Sequence, residues 1–218
     1  MNAARPILAF DFGSRAATAA LAFDGVLAAS VEAEREARDA DLLPLLEECL
    51  AAAGATATDL GAIVALAGPG SFTGLRVACA TALGLAAALR IPATGVSTLE
   101  ASALSAPPAS GRVLAVVDAL RGEWFVQLFD RGEELEASAL DEPRLARAAA
   151  AEPGASGLVV GADAERFLAE ASCAGGAWTA FRPAEAVARA ASRGRWAWDD
   201  ALLRRPLYLR APATRAPA

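Results

Sequence analysis

The stretch Gly68-Pro69-Gly70-Ser71-Phe72-Thr73-Gly74-Leu75-Arg76 joins two segments of different hydrophobic period. Residues 62–67 before it form a short apolar run with β-branched members, as in a buried parallel strand. Residues 73–89 after it set Leu75, Cys79, Ala82, Leu83, Ala86 and Leu89 on one broad helical face. The run therefore reads as the turn of a strand–turn–helix unit in a mixed α/β domain. Glycine admits positive φ or close backbone approach, and proline fixes φ. Ser71 or Thr73 supplies the helix cap. Gly70 and Gly74 are the positions where a side chain is not expected to fit, one for its φ and the other where strand and helix approach. The spacing leaves two roles open, a capped turn without a ligand and an anion site at a helix N-terminus. It excludes the phosphate loop of P-loop enzymes, because the chain contains no lysine. It also lacks the G-x-G-x-x-G spacing of a dinucleotide fold.

Two side chains at the turn, and the helix that follows it, carry expectations of their own. Arg76, in the first turn, opposes the helix dipole, so it needs a partner, either a carboxylate or a bound anion. Phe72 is either a core plug or an interface anchor. The remaining helix positions, among them Ala78, Ala82 and Gly84, are so small that the helix is either buried on two sides or docks closely on another helix.

Upstream, residues 7–12, 16–23 and 26–34 read as three strands in a meander, with Asp24-Gly25 as a two-residue hairpin turn. A helix follows, capped by Asp39 or Asp41, with Leu42, Leu46, Cys49, Leu50 and Ala53 on one face and Gly54 closing it. Pro44 is tolerated near its first turn. Downstream, residues 93–96 read as a strand, and Ser97-Thr98-Leu99-Glu100 as a capping box. Ala106-Pro107-Pro108-Ala109-Ser110-Gly111 is the expected boundary between a first subdomain, 1–105, and a second, 106–210. In the second, residues 113–117 and 123–129 read as strands covered on both faces, since Trp124, Val126 and Leu128 alternate with Phe125, Gln127 and Phe129. Asp141-Glu142-Pro143 is expected to start an alanine-rich helix, residues 158–160 a strand, and Asp163 to cap a helix bearing Phe167 and Leu168. Residues 183–193 form a further helix, and 211–218 a disordered tail.

Composition narrows the function classes. The chain has 218 residues, a net charge of −6 and no histidine. An acidic chain with dispersed arginines is not expected to grip nucleic acid by itself. The missing histidine removes His-activated nucleophiles and His-containing metal sites. Cys49, Cys79 and Cys173 are isolated and odd in number, so buried free thiols are expected rather than disulfides or zinc. The N-terminus runs directly into a strand, and the alanine-rich helix falls short of about 20 apolar residues. A cytoplasmic protein without a membrane role is expected.

Taken with the blocks around it, the nine-residue run closely resembles the signature of the TsaB family (also called YeaZ), bacterial partners in making threonylcarbamoyladenosine in tRNA. Ile7-Leu8-Ala9-Phe10-Asp11 resembles the family's opening strand and Leu42-Leu43-Pro44 the start of its first helix. Gly95-Val96-Ser97-Thr98-Leu99-Glu100-Ala101 and Asp118-Ala119-Leu120-Arg121-Gly122-Glu123 follow in order, and Pro206-Leu207-Tyr208-Leu209-Arg210 resembles its closing strand. The resemblance is weak between about residues 135 and 205. It implies the actin-like ATPase (ASKHA, ribonuclease H-like) fold of actin, Hsp70 and sugar kinases, with two related subdomains and mixed sheets.

The resemblance also implies a non-catalytic subunit without cofactor or metal. Such a subunit binds the catalytic homologue TsaD and, with the ATPase TsaE, organises threonylcarbamoyl transfer to N6 of adenosine 37 in ANN-decoding tRNAs. In the absence of TsaD it forms a homodimer. The family pairs through its first-half helices, making Leu42, Leu46, Ala78, Ala82 and Gly84 the interface candidates. Asp11-Phe12-Gly13-Ser14 resembles the first phosphate loop of actin-like kinases, a vestigial nucleotide loop centred on Asp11, Gly13 and Ser14. The second half has no glycine-rich counterpart after Asp118. The alternative is an independent ATPase or phosphotransferase of this fold, for which Asp11, Asp118 and Glu123 are the available carboxylates.

Overall fold

A computed structural model describes residues 5–34, 42–151, 158–172, 175–178 and 182–210. Asp39, Asp41, Cys173 and the segment 211–218 lie outside the described residues. The chain opens on the expected meander: β1 (Ile7–Asp11) pairs antiparallel with β2 (Ala16–Phe23), and β2 with β3 (Val26–Glu34). Asp24 and Gly25 take φ of 47° and 77°, the left-handed pair a tight hairpin needs. α1 (Leu42–Ala52) is followed by β4 (Ala62–Leu66), α2 (Phe72–Leu89), β5 (Ala93–Val96) and α3 (Thr98–Ser105). β4 runs parallel to β1 and to β5, giving the order β3-β2-β1-β4-β5.

The second half repeats that plan without any repeat in its sequence. β6 (Gly111–Asp118) pairs antiparallel with β7 (Trp124–Arg131), which also carries β8 (Ser138–Ala139) and β9 (Arg144–Ala146). β10 (Leu158–Val160) lies parallel to β6, and β11 (Gly176–Trp178) parallel to β10. The order β8-β7-β6-β10-β11 matches β3-β2-β1-β4-β5 strand for strand. α4 (Ala164–Ala171) follows β10 as α2 follows β4, and α5 (Pro183–Ser192) follows β11 as α3 follows β5. A short α6 (Ala201–Arg204), not foreseen from sequence, precedes the last described residues. The molecule is thus an α/β protein with two related halves, each built on a mixed sheet.

Strand alternation sorts the core into layers. On the first sheet, Leu8, Phe10, Leu21 and Ile63 face α1 and α2, whose Leu46, Cys49, Ala78 and Ala82 fill the gap. Ile7, Ala9, Ala20 and Val64 face the other way, onto Ala184, Val187 and Ala188 of α5. The layers do not follow the chain. α5 comes from the second half yet covers the first sheet, whereas α3 comes from the first half and packs on β6 and β7. α3 and α5 also pack on each other, so each half supplies one wall of the layer between the sheets. The alanine-rich helix does not fall short of a span as expected: among the described residues, α2, which starts at Phe72, is long and apolar enough by length and composition to cross a membrane, with a mean hydropathy of 1.6. Its buried stripe packs on β4, and only 33% of that window is inside the protein, which leaves a large apolar outer face.

Four local expectations are corrected. The alanine-rich segment after Asp141-Glu142-Pro143 is not an α-helix but β9 and a 3-10 turn, Ala148–Ala150. There, pairing with the open edge of β7 outweighs alanine's helix preference, and the Asp141 carboxylate accepts the Leu128 N–H at 2.7 Å. The capping box is not closed: Ser97 Oγ accepts from Leu99 N–H, while Glu100 turns to Arg195 and Trp196. Asp163 stands at the N-cap of α4 without a side-chain cap bond. Residues 206–210 form no strand. The segment passes Ala67 at the end of β4, whose two edges are already taken by β1 and β5, so only Leu207 N–H finds a strand carbonyl.

Candidate functional site

The glycine run folds as the expected turn, and its geometry shows why glycines stand there. Gly68 takes φ 108°, the Gly68–Pro69 peptide is cis, and α2 begins at Phe72 with Ser71, not Thr73, as its N-cap. Ser71 Oγ accepts a long bond, 3.4 Å, from Gly74 N–H. The positive φ therefore falls on Gly68 rather than on Gly70 or Gly74. A Cβ on Gly68 would also lie 2.6 Å from the Leu207 carbonyl oxygen. Gly70 is the close approach: a Cβ there would sit 2.9 Å from the Gly13 carbonyl oxygen. Gly74 is buried in the first turn of α2.

The turn is stitched to three other segments. Ser71 N–H donates to Gly13 O at 2.8 Å, Thr98 N–H donates to Gly68 O at 2.7 Å, and Leu207 N–H donates to Ala67 O at 2.8 Å. The first of these bonds joins the two motifs singled out in the sequence. Asp11, fully buried, ends β1 and accepts the Gly13 N–H on Oδ1 at 2.7 Å. A Cβ on Gly13 would meet Leu75 Cδ2 at 2.6 Å, so Gly13 lets the start of α2 close over the Asp11 turn. Ser14 is half-buried beside it.

Asp118 holds the matching place in the second half. It ends β6, and its Oδ1 accepts Leu120 N–H at 2.8 Å, the same two-residue side-chain turn as at Asp11. Its Oδ2 pairs with Arg166 Nη2 at 2.8 Å, which raises the Arg166 pKa above its ordinary value. Glu123 pairs with Arg210, whose Nη1 also donates to Ala119 O at 2.7 Å. Both carboxylates are thus held by arginines that sequence reasoning did not pick out. The signal was faint, because Arg166 and Arg210 lie 48 and 87 residues from their partners.

Arg76 has no carboxylate partner among the described residues. It is exposed, and its Cζ stands 3.9 Å above the Phe72 ring. Phe72 in turn packs against Tyr208 at 4.9 Å between centroids. The three make a cation–aromatic stack at the head of α2. Below it, Arg76, Cys79, Leu83, Leu203, Arg205 and Tyr208 are among the residues lining a shallow groove of about 770 Å³.

Of the interface candidates, Leu42, Leu46, Ala78 and Ala82 are buried in the core of the first half, and Gly84 alone lies on the surface. A Cβ on Gly84 would touch nothing within 4 Å. The residues that do face outward from α1 and α2 include Leu43, 55% exposed, and Val77, 38% exposed, together with Ala80, Ala87 and Ala88. These fall one position away from the stripes chosen from sequence. Hydrophobic periodicity marks the face against the sheet, not the face against a partner. Cys49 and Cys79 sit in the core as expected, and burial pushes both thiols up to about 11.

Comparison with known proteins agrees with this geometry. The family model described as "TsaD: tRNA N6-adenosine threonylcarbamoyltransferase" matches residues 32–188. A protein of Escherichia coli named tRNA threonylcarbamoyladenosine biosynthesis protein TsaB is 38% identical over 140 residues, covering 60% of this chain and 61% of that protein. An uncharacterised protein of Mycobacterium tuberculosis, Rv3421c, is 34% identical over 94% of this chain and 92% of its own length. The solved structure of YeaZ from Pseudomonas aeruginosa superposes with a TM-score of 0.76 at 26% identity, covering 94% of this chain and all of that one.

Proposed function

The chain belongs to the TsaB (YeaZ) family, and from that premise we propose that it is a non-catalytic subunit of the apparatus that makes threonylcarbamoyladenosine in tRNA. Its role is to bind and organise the organism's TsaD homologue, together with TsaE, for threonylcarbamoyl transfer to N6 of adenosine 37 in ANN-decoding tRNAs. Without TsaD it pairs with a second copy of itself. The observation that carries this reading is the identity with the E. coli TsaB protein. The outer face of α2 supports the partner role: beyond Thr73 and Arg76 its exposed residues are Val77, Ala80, Gly84, Ala87 and Ala88, where a solvated helix carries charges.

The chemistry of the residues supports the non-catalytic part. The chain has no histidine or lysine to serve as base or nucleophile, and Asp118 and Glu123 are committed to Arg166 and Arg210. Its acidity supports a subunit that leaves tRNA binding to its partners. The test is co-purification with the same organism's TsaD homologue, followed by a reconstituted tRNA modification assay with and without this chain. A stable complex, and modification that needs both proteins, is the expected result. Modification by this chain alone, or undiminished modification without it, contradicts the reading.

A further inference from the structure

Residues 206–210 run from the first half's glycine turn to the second half's Asp118 turn. At one end Leu207 N–H donates to Ala67 O at 2.8 Å, and its carbonyl oxygen lies only 2.6 Å from where a Cβ on Gly68 would stand. The Tyr208 ring backs Phe72, which carries Arg76. At the other end Arg210 donates to Ala119 O at 2.7 Å and pairs with Glu123, closing the turn after β6. Leu207 and Arg210 are three residues apart, which is at most about 11 Å of extended chain. A short, irregular segment therefore holds the equivalent turns of both halves. It does so through single contacts rather than a ladder.

We infer that residues 206–210 are an internal strap. It ties the two turns together and sets the position of Phe72 and Arg76 at the head of α2, so that a shift at the Asp118 turn is felt at the outer face of the first half. The strap also accounts for the first glycine of the signature run. The strap's backbone comes too close to Gly68 for a Cβ to fit, and a side chain there would push the strap off Ala67. The coupling is mechanical and reciprocal, as two contacts on one short tether must be.

Amide hydrogen exchange on the full-length protein, followed residue by residue by NMR, tests this. In Arg210→Ala, which cuts the strap at the second half, the Leu207 amide at the strap's other end and the distant Ser71 and Thr98 amides are expected to exchange about tenfold faster, with β1 and β4 amides unchanged. In Tyr208→Ala, which loosens it at the first half, the Ala119 and Glu123 amides are expected to do the same. Should Arg210→Ala not fold, Glu123→Gln removes the same ion pair without truncating the strap and is read at the same amides. Faster exchange confined to the half that was mutated, or none, overturns the strap.

Discussion

The two halves share one strand order but clothe it differently. The first sheet is covered outside by an α1 of 11 residues and an α2 of 18, whose core side chains are mostly Leu, Ala and Cys. The second has at the same face a three-residue 3-10 turn and an α4 of eight residues. The thinner layer is filled by larger side chains: Trp124 and Phe167 meet edge to face at 5.2 Å, and Arg166 lies 4.7 Å over Trp124. Close packing must be reached either way, with many small contacts or a few large ones. The outer surfaces differ in the same sense. α4 exposes Glu165, Arg166 and Glu170, a solvated face, whereas α2 exposes apolar residues. The repeated fold thus presents an apolar outer face on one half and a charged one on the other.

Core truncation should break this contrast most visibly if it is wrong. Phe167→Ala, in the thin layer, is expected to cost about 3–5 kcal/mol, and Leu46→Ala, in the thick one, about 2–3 kcal/mol. Urea denaturation measures both; a smaller loss at Phe167 would mean that the second half's core does not hang on its aromatic pair. The equivalence of the two strand-end glycines is tested next. Gly161 follows β10 as Gly68 follows β4, with one residue fewer between, and a Cβ on it would collide with the Val116 carbonyl oxygen. Gly161→Ala and Gly68→Ala should each lower stability by about 2–3 kcal/mol in the same measurement. A silent Gly161→Ala would end the parallel.

The buried thiols give a test confined to the first half. Cys49 and Cys79 have folded-state pKa values of about 11 against an ordinary 9.0, the thiolate being disfavoured by burial and, at Cys49, by Glu48. A raised pKa means that their stabilising contribution is complete below pH 9 and is lost as pH rises through 11. Denaturation midpoints should therefore fall between pH 9 and 11, and a Cys49→Ala/Cys79→Ala variant should lose most of that slope. The smallest effect is a gain. Gly84→Ala, on an open helix surface, should raise stability by about 0.5–1 kcal/mol, while Gly70→Ala, against the Gly13 carbonyl, should lower it.

Much of this was legible in the residues. The meander, β4, β5, α2 and the turn between them follow from strong periods and from Asp24-Gly25 and Gly68-Pro69-Gly70 acting as local instructions. What was not legible depends on distant partners. Residues 144–150 look helical until the open edge of β7 takes them, and Glu100 looks like a cap until Arg195 and Trp196 arrive from 95 and 96 residues away. The same holds for the site. Gly70 and the Asp11 turn were found from local chemistry, and their contact was not, because it forms only when β1 and β4 pair. Leu42, Leu46, Ala78 and Ala82 were chosen for an interface on the same apolar signal that puts them in the core.

In the proposed function, the outer face of α2 is where this protein meets its partner. Calorimetric titration of the TsaD homologue with wild type, Val77→Arg, Gly84→Trp and, as a control on the second half, Glu165→Arg measures it directly. Val77→Arg and Gly84→Trp should keep the wild-type melting temperature within a few degrees yet weaken binding at least about a hundredfold, the loss expected when a charge or a bulky ring enters an interface core. Glu165→Arg should bind as wild type does. Undiminished binding by folded Val77→Arg and Gly84→Trp proteins would contradict the account.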